Sequence, residues 1–238
     1  YTAVDQAESD EAAAFALNAV AAGELAAAAA RAGIPIIHIS TDYVFDGTKP
    51  EPYSETDPVA PLGVYGRSKL AGEEAVAAAN PLHVILRTAW VYSPVGKNFV
   101  KTMLRVGAAR EELGVVHDQR GNPTSAADIA AGILTIAGQI LSGSSPVKPG
   151  IYHMTASGEA SWAEFAEHVF GCSADAGGPV ARVKRITSAE YPTPVMRPAN
   201  SRLECSRLAG AYGVVLPDWR SSAQTCVEQL VKTGDWNA

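Results

Sequence analysis

Three short apolar runs, each closing on polar residues, most restrict what this chain can become. "IPIIHIS" (34–40), "LHVILRTAW" (82–90) and "LGVVHD" (113–118) are apolar and rich in β-branched residues, as strands buried on both faces are. Helical patterns separate them, over 65–79 and 98–112, and Thr124 or Ser125 is suited to cap a third helix running to Leu141. Upstream, residues 5–32 read as one or two Ala-rich helices stopped at Gly33. Strand and helix in alternation predict an α/β fold built on a doubly wound, Rossmann-like parallel sheet. Such sheets bind ligands beyond the carboxyl ends of their strands. Here those ends carry Ser40-Thr41-Asp42, Thr88-Ala89-Trp90 and His117-Asp118-Gln119.

The texture changes after "SGSSPVKPG" (142–150). "IYHMT" reads as a short strand, "SWAEFAEHVFG" as an amphipathic helix and "GGPVARVKRIT" as another strand. "YPTPVMRPANSRLE" reads as a Pro-broken loop, and a last helix follows Pro217-Asp218-Trp219. The expected organisation is a dinucleotide-binding domain over 1–150 and a smaller C-terminal substrate lobe over 151–238. Part of the lobe's chain is allowed to return to the main sheet.

Composition narrows the function. A net charge of −6 over 238 residues disfavours non-specific nucleic-acid binding. Cys172, Cys205 and Cys226 fit neither a disulfide framework nor a zinc pattern. They read as reduced thiols of a cytoplasmic protein. The histidines show no ligand spacing, so no metal site is expected. No run reaches the ~18 apolar residues of a membrane span. The sequence starts with neither Met nor a signal peptide, and is expected to begin mid-protein.

The chemistry concentrates near Tyr65. Tyr65 and Lys69 are spaced i, i+4 and share a helix face. An ammonium beside a phenol favours the phenolate, so Lys69 is expected to lower the Tyr65 pKa from its ordinary ~10. Such a phenol can protonate a carbonyl oxygen, and the Thr41 hydroxyl can hold that same oxygen. The set suits carbonyl reduction with hydride from a nicotinamide.

Several blocks then carry a resemblance: "STDYVFDG", "SETDPVAPLGVYGRSKLAGEE", "LRTAWVYSPVGKNFVKTMLR", "VVHDQRGNPTSAADIA", "RPANSRL" and "LPDWR". They resemble the dTDP-4-dehydrorhamnose reductase family of extended short-chain dehydrogenases/reductases. The resemblance implies that NADPH or NADH reduces the 4-keto group of dTDP-4-dehydro-β-L-rhamnose. It implies Tyr65 as general acid, Lys69 as its partner and a ligand of the nicotinamide ribose, and Thr41 on the keto oxygen. Asp42 and Trp90 would line the sugar pocket, and Tyr1 and Thr2 would sit near the cofactor. The family's G-x-x-G-x-x-G turn is absent from these residues and is expected upstream of Tyr1.

The remaining candidates keep two readings each. Arg197 and Arg202 suit a diphosphate, or salt bridges to Glu204 or the rim. Asp118, Gln119 and Asn122 suit a turn as well as a substrate contact. Arg87 reads as a core-edge ion pair and His38 as a satisfied core histidine. Glu73-Glu74 and Glu111-Glu112 read as solvated helix faces. Beside the reductase stand a nucleotide-sugar epimerase or dehydratase, and a non-catalytic regulatory subunit of the methionine adenosyltransferase type. A dehydratase usually has Asp-Glu beside its threonine, whereas Asp42-Tyr43 follows Thr41 here. Oligomeric state stays open, a homodimer included.

Overall fold

The computed structural model describes residues 1–237. Its strands are β1 (Ile36–Thr41), β2 (His83–Thr88), β3 (Val91–Tyr92), β4 (Glu112–Val116), β5 (Arg120–Gly121), β6 (Thr124–Ser125), β7 (Gly150–His153), β8 (Ala160–Ser161) and β9 (Arg182–Ile186). Its α-helices are α1 (Val4–Ala7), α2 (Glu11–Phe15), α3 (Ala21–Arg31), α4 (Val64–Ala79), α5 (Phe99–Gly107), α6 (Ala126–Leu141), α7 (Trp162–Asp175), α8 (Ser206–Tyr212) and α9 (Trp219–Thr233). The chain forms two compact units, each assembled from three stretches. The first is 1–89, 132–154 and 193–215; the second is 90–131, 155–192 and 216–238.

The first unit is built on a parallel sheet of order β1-β2-β7. β2 is central and has no charged side chain except Arg87, so it buries on both faces: Val84, Ile85 and Leu86 are fully buried. "IYHMT", expected in the smaller lobe, is the third strand of this sheet, with Val84 paired to Gly150 and Arg87 to His153. The expected boundary at 150 thus falls where β7 begins. The "YPTPVMRPANSRLE" loop also belongs mostly to this unit, where Leu203 bridges Tyr53.

Residues 11–31 run as one helix, with a π-helical turn at Ala16–Val20 joining α2 to α3. It ends where expected: Gly33 takes φ +68° and the Ile34 N–H reaches back to the Ala29 carbonyl. Against the expectation of no such run, this helix is long and apolar enough to cross a membrane by length and composition. Its alanines pack along α4 instead, Ala22 and Ala26 meeting Val76 and Ile85.

The second unit differs from expectation in its pairing. β4 overlaps the predicted strand 113–118, but joins β9 in a separate two-stranded parallel sheet rather than the main one. The predicted helix 98–112 stops at Gly107, and Glu112 lies in β4, where it pairs with Arg182, not on a helix face. α7 packs Phe165, Val169 and Phe170 into a core with Leu104, Trp219 and Val227. Its start is sealed by a capping box between Ser161 and Glu164.

Candidate active site

α4 begins at Val64 because the loop before it is Pro-rich and because an acid meets its first amide. The Glu8 carboxylate accepts from the Val64 N–H at 2.7 Å, which suits the positive end of a helix. Tyr65 and Lys69, one turn apart, are both half-buried. The Tyr65 ring lies edge-on to Tyr43, with centroids 5.6 Å apart. It packs against the buried cluster of Ala7, Ala14 and Val64, as Tyr1 and Phe15 do.

The carboxyl end of β1 supplies the hydroxyl. Thr41 donates to Asp42 Oδ1 at 3.0 Å and accepts from the Tyr43 N–H at 3.2 Å. Asp42 is buried, and its Oδ2 has no partner. Burial pushes its carboxyl up to about 6, against hydrogen bonds from Ser201, Thr41 and nearby backbone. Two more buried hydroxyls at these strand ends, Ser40 Oγ and Thr88 Oγ1, lack partners.

Burial also pushes the Tyr65 phenol up to about 12. A hydrogen bond with Thr41 pulls the other way, while Asp42 and Tyr43 add to the rise. The Tyr65 phenol is thus raised rather than lowered, contrary to the sequence expectation. The Lys69 ammonium donates to the Ile39 carbonyl of β1 at 2.6 Å. The i, i+4 spacing gives a shared face, but the lysine stem is long enough to choose the strand. Burial lowers the Lys69 pKa, and the Glu73 charge raises it.

Glu73 corrects another expectation. It is 2% exposed and takes a two-pronged grip from Arg87 on β2, Nε and Nη2 donating at 2.8 and 2.6 Å. Arg87 is the ion pair that its position suggested, but in the core rather than at its edge. His38 Nε2 is buried without a partner, so this histidine is not satisfied. Burial, then the Lys69 charge, brings it down to about 4, opposed by Glu73.

The other predicted residues are dispersed or engaged. Tyr1 donates its hydroxyl to Asp10 at 3.1 Å and its amino group to Asn18 at 3.0 Å. Thr2 is exposed. Arg197 donates to Asp5 at 2.7 Å and to the Tyr43 hydroxyl at 3.3 Å. Arg202 donates to Asn200 and to the Pro50 carbonyl. Trp90 belongs to the second unit, with φ +48° and its ring stacked on Trp162 at 3.5 Å. Asp118 and Gln119 lie there too, both bonded to Ser188. Three residues gained weight from the structure alone. Tyr43 links Tyr65 to Arg197, Ser201 opposes the rise of the Asp42 carboxyl, and Trp162 backs Trp90; no spacing rule in the sequence singles them out.

Comparison with known proteins identifies the family. The family model described as RmlD substrate binding domain matches residues 1–232. A dTDP-4-dehydrorhamnose reductase of Sinorhizobium fredii is 55% identical over 234 residues, covering 98% of this chain and 79% of that protein. The crystal structure of a dTDP-4-dehydrorhamnose reductase from Clostridium acetobutylicum superposes with a TM-score of 0.89 at 40% identity, over 97% of this chain and 78% of that one. One from Bacillus anthracis, in complex with NADP, superposes with a TM-score of 0.86 at 36% identity, over 96% and 78%. With the Thr41, Tyr65 and Lys69 set on one end of a parallel sheet and this similarity along the whole chain, the protein belongs to the dTDP-4-dehydrorhamnose reductase family.

Proposed function

We propose that this protein reduces the 4-keto group of dTDP-4-dehydro-β-L-rhamnose to give dTDP-L-rhamnose, with Tyr65 as the proton donor. NADPH or NADH, when bound, supplies the hydride. Residues 1–238 contain no G-x-x-G-x-x-G turn, and the residues assigned to the cofactor among them belong to its nicotinamide end. Lys69 fits that end, since a half-buried ammonium with one acceptor has donors left for ribose hydroxyls. Tyr1 and Thr2 are assigned to the same neighbourhood.

The observation that carries the reading is the Tyr65 phenol beside Thr41 at the end of β1, where Thr41 donates to the buried Asp42. A phenol held near 12 keeps its proton throughout the neutral range, as an acid for ketone reduction must. Thr41 gives its proton to Asp42 at rest; turning it toward the ketone oxygen makes it the second donor. The unpartnered Asp42 Oδ2 and Ser40 Oγ suit the hydroxyls of a sugar. Trp90 keeps the sugar contact that the resemblance implies, and Arg202 is assigned to the diphosphate by the fork of its guanidinium. Arg197 would reach a diphosphate by leaving Asp5, an exchange of one anion for another.

The test is NADPH oxidation with the keto-sugar nucleotide. Tyr65→Phe is expected to lower kcat by at least ~100-fold, the low end of acid–base contributions. Equal rates in the two proteins would remove Tyr65 from this role.

A further inference from the structure

Tyr65, Lys69 and Glu73 recur every four residues along α4, so they form one stripe on the helix. Its last member lies in the core, and its carboxylate is gripped through both oxygens by Arg87 of β2. Arg87 is itself 2% exposed, lies over the Phe45 ring at 5.1 Å and has no partner for Nη1. A buried ion pair of this kind adds little stability over apolar residues of the same bulk. The pair also fixes the depth and rotation of α4 against the strand whose carbonyl receives Lys69. Without Glu73, the buried Arg87 and the half-buried Lys69 would be two cations with no anion between the helix and the sheet. One of them would have to give up its charge, and an arginine does not.

We propose that Glu73, clamped by Arg87, is a positioning residue for Lys69: it supplies the fixed negative charge that keeps Lys69 an ammonium one turn from Tyr65. The inference rests on the reading of Lys69 and Tyr65 given above. Other groups on the elements packed against α4 are accounted for. His38 of β1 stays neutral in the working range, falling to about 4. Asp42 is tied to Thr41. Asp5 is held by Arg197 and Glu11 lies 3.8 Å from Arg67. Glu8 accepts from the Val64 N–H, Tyr43 is kept neutral by burial, which pushes it up to about 12, and Glu24, Arg31 and His83 lie on the remaining elements. Of all these, Glu73 is the group whose charge opposes burial at Lys69.

The experiment is competitive acetylation of Lys69 from pH 7 to 11, read on its peptide by mass spectrometry. Glu73→Gln/Arg87→Met removes both charges and keeps the bulk. Its thermal midpoint should stay near the parent's, while the labelling midpoint of Lys69 falls by about one pH unit or more. The KM for the nicotinamide cofactor should rise more than kcat falls, since an uncharged Lys69 offers the ribose fewer donors. Glu73→Asp, which keeps the carboxylate but draws it back, should give a smaller shift in the same direction. An unshifted midpoint in the folded double variant, or in Glu73→Asp should the double variant not fold, overturns the proposal. Labelling reads the amine and not turnover. A shifted midpoint therefore stands even if Tyr65→Phe keeps its rate, an outcome that would sink the role of Tyr65 alone.

Discussion

Single residues here are governed by burial more than by neighbours in sequence. His153 shows it: burial, then the Arg87 charge, brings it down to about 3. Its Nε2 is unpartnered, and its Nδ1 lies 3.2 Å from the Glu204 carbonyl. In the unfolded chain this histidine gains a proton below its ordinary value of about 6.5, while the folded one stays neutral. The unfolded state then binds more protons, so the contribution to stability is present above pH 6.5 and is lost as pH falls toward 3. In His153→Gln the loss of unfolding free energy from pH 6 to pH 4 should be shallower by up to about 1.4 kcal/mol per pH unit. Denaturant melts of both proteins at several pH values check this, and parallel slopes would contradict it. The same rule explains the misreading of Glu73. Two adjacent acids on a helix look solvated, and the partner that draws one of them inward is fourteen residues on, in another element.

At the scale of elements, α4 is the part that the site depends on, and its glycines explain how closely it is held. A Cβ on Gly72 would lie 2.1 Å from the Asn18 carbonyl oxygen, and one on Gly66 would lie 2.3 Å from that of Tyr43. Alanine normally favours a helix interior over glycine. Here Gly72→Ala should instead destabilise by about 1–3 kcal/mol, since backbone must move to admit it. Gly138 of α6 has nothing within 4 Å of its missing Cβ, and Gly138→Ala should stabilise by about 0.5–1 kcal/mol. Opposite shifts in thermal midpoint are the expected result; two shifts of one sign would contradict this account of α4. Most helices were legible from periodicity and stop signals, α4 within a residue of its predicted start. α5 was overextended because "AAREE" continues a helical composition after the chain has left the helix at Gly107.

At the scale of the whole molecule, order in sequence and order in space part company. The first unit takes β7 and the stretch 193–215 from far along the chain. The latter contributes the Leu203 bridge to Tyr53 and the Arg197 contact with Asp5. A fragment ending at residue 149 therefore lacks the strand that covers one edge of β2, and lacks those contacts. It should show no cooperative thermal transition by circular dichroism where the 238-residue chain does; a cooperative melt would restore a boundary at 150. The sequence by itself determined the α/β class, the parallel strands and the Tyr65–Lys69 face, because period and spacing are local properties that survive in any context. The tertiary structure alone decided which strands share a sheet, that Glu73 is buried against Arg87, and that Lys69 turns to a strand carbonyl. Those outcomes depend on which distant groups exclude water from one another, and no local pattern encodes that.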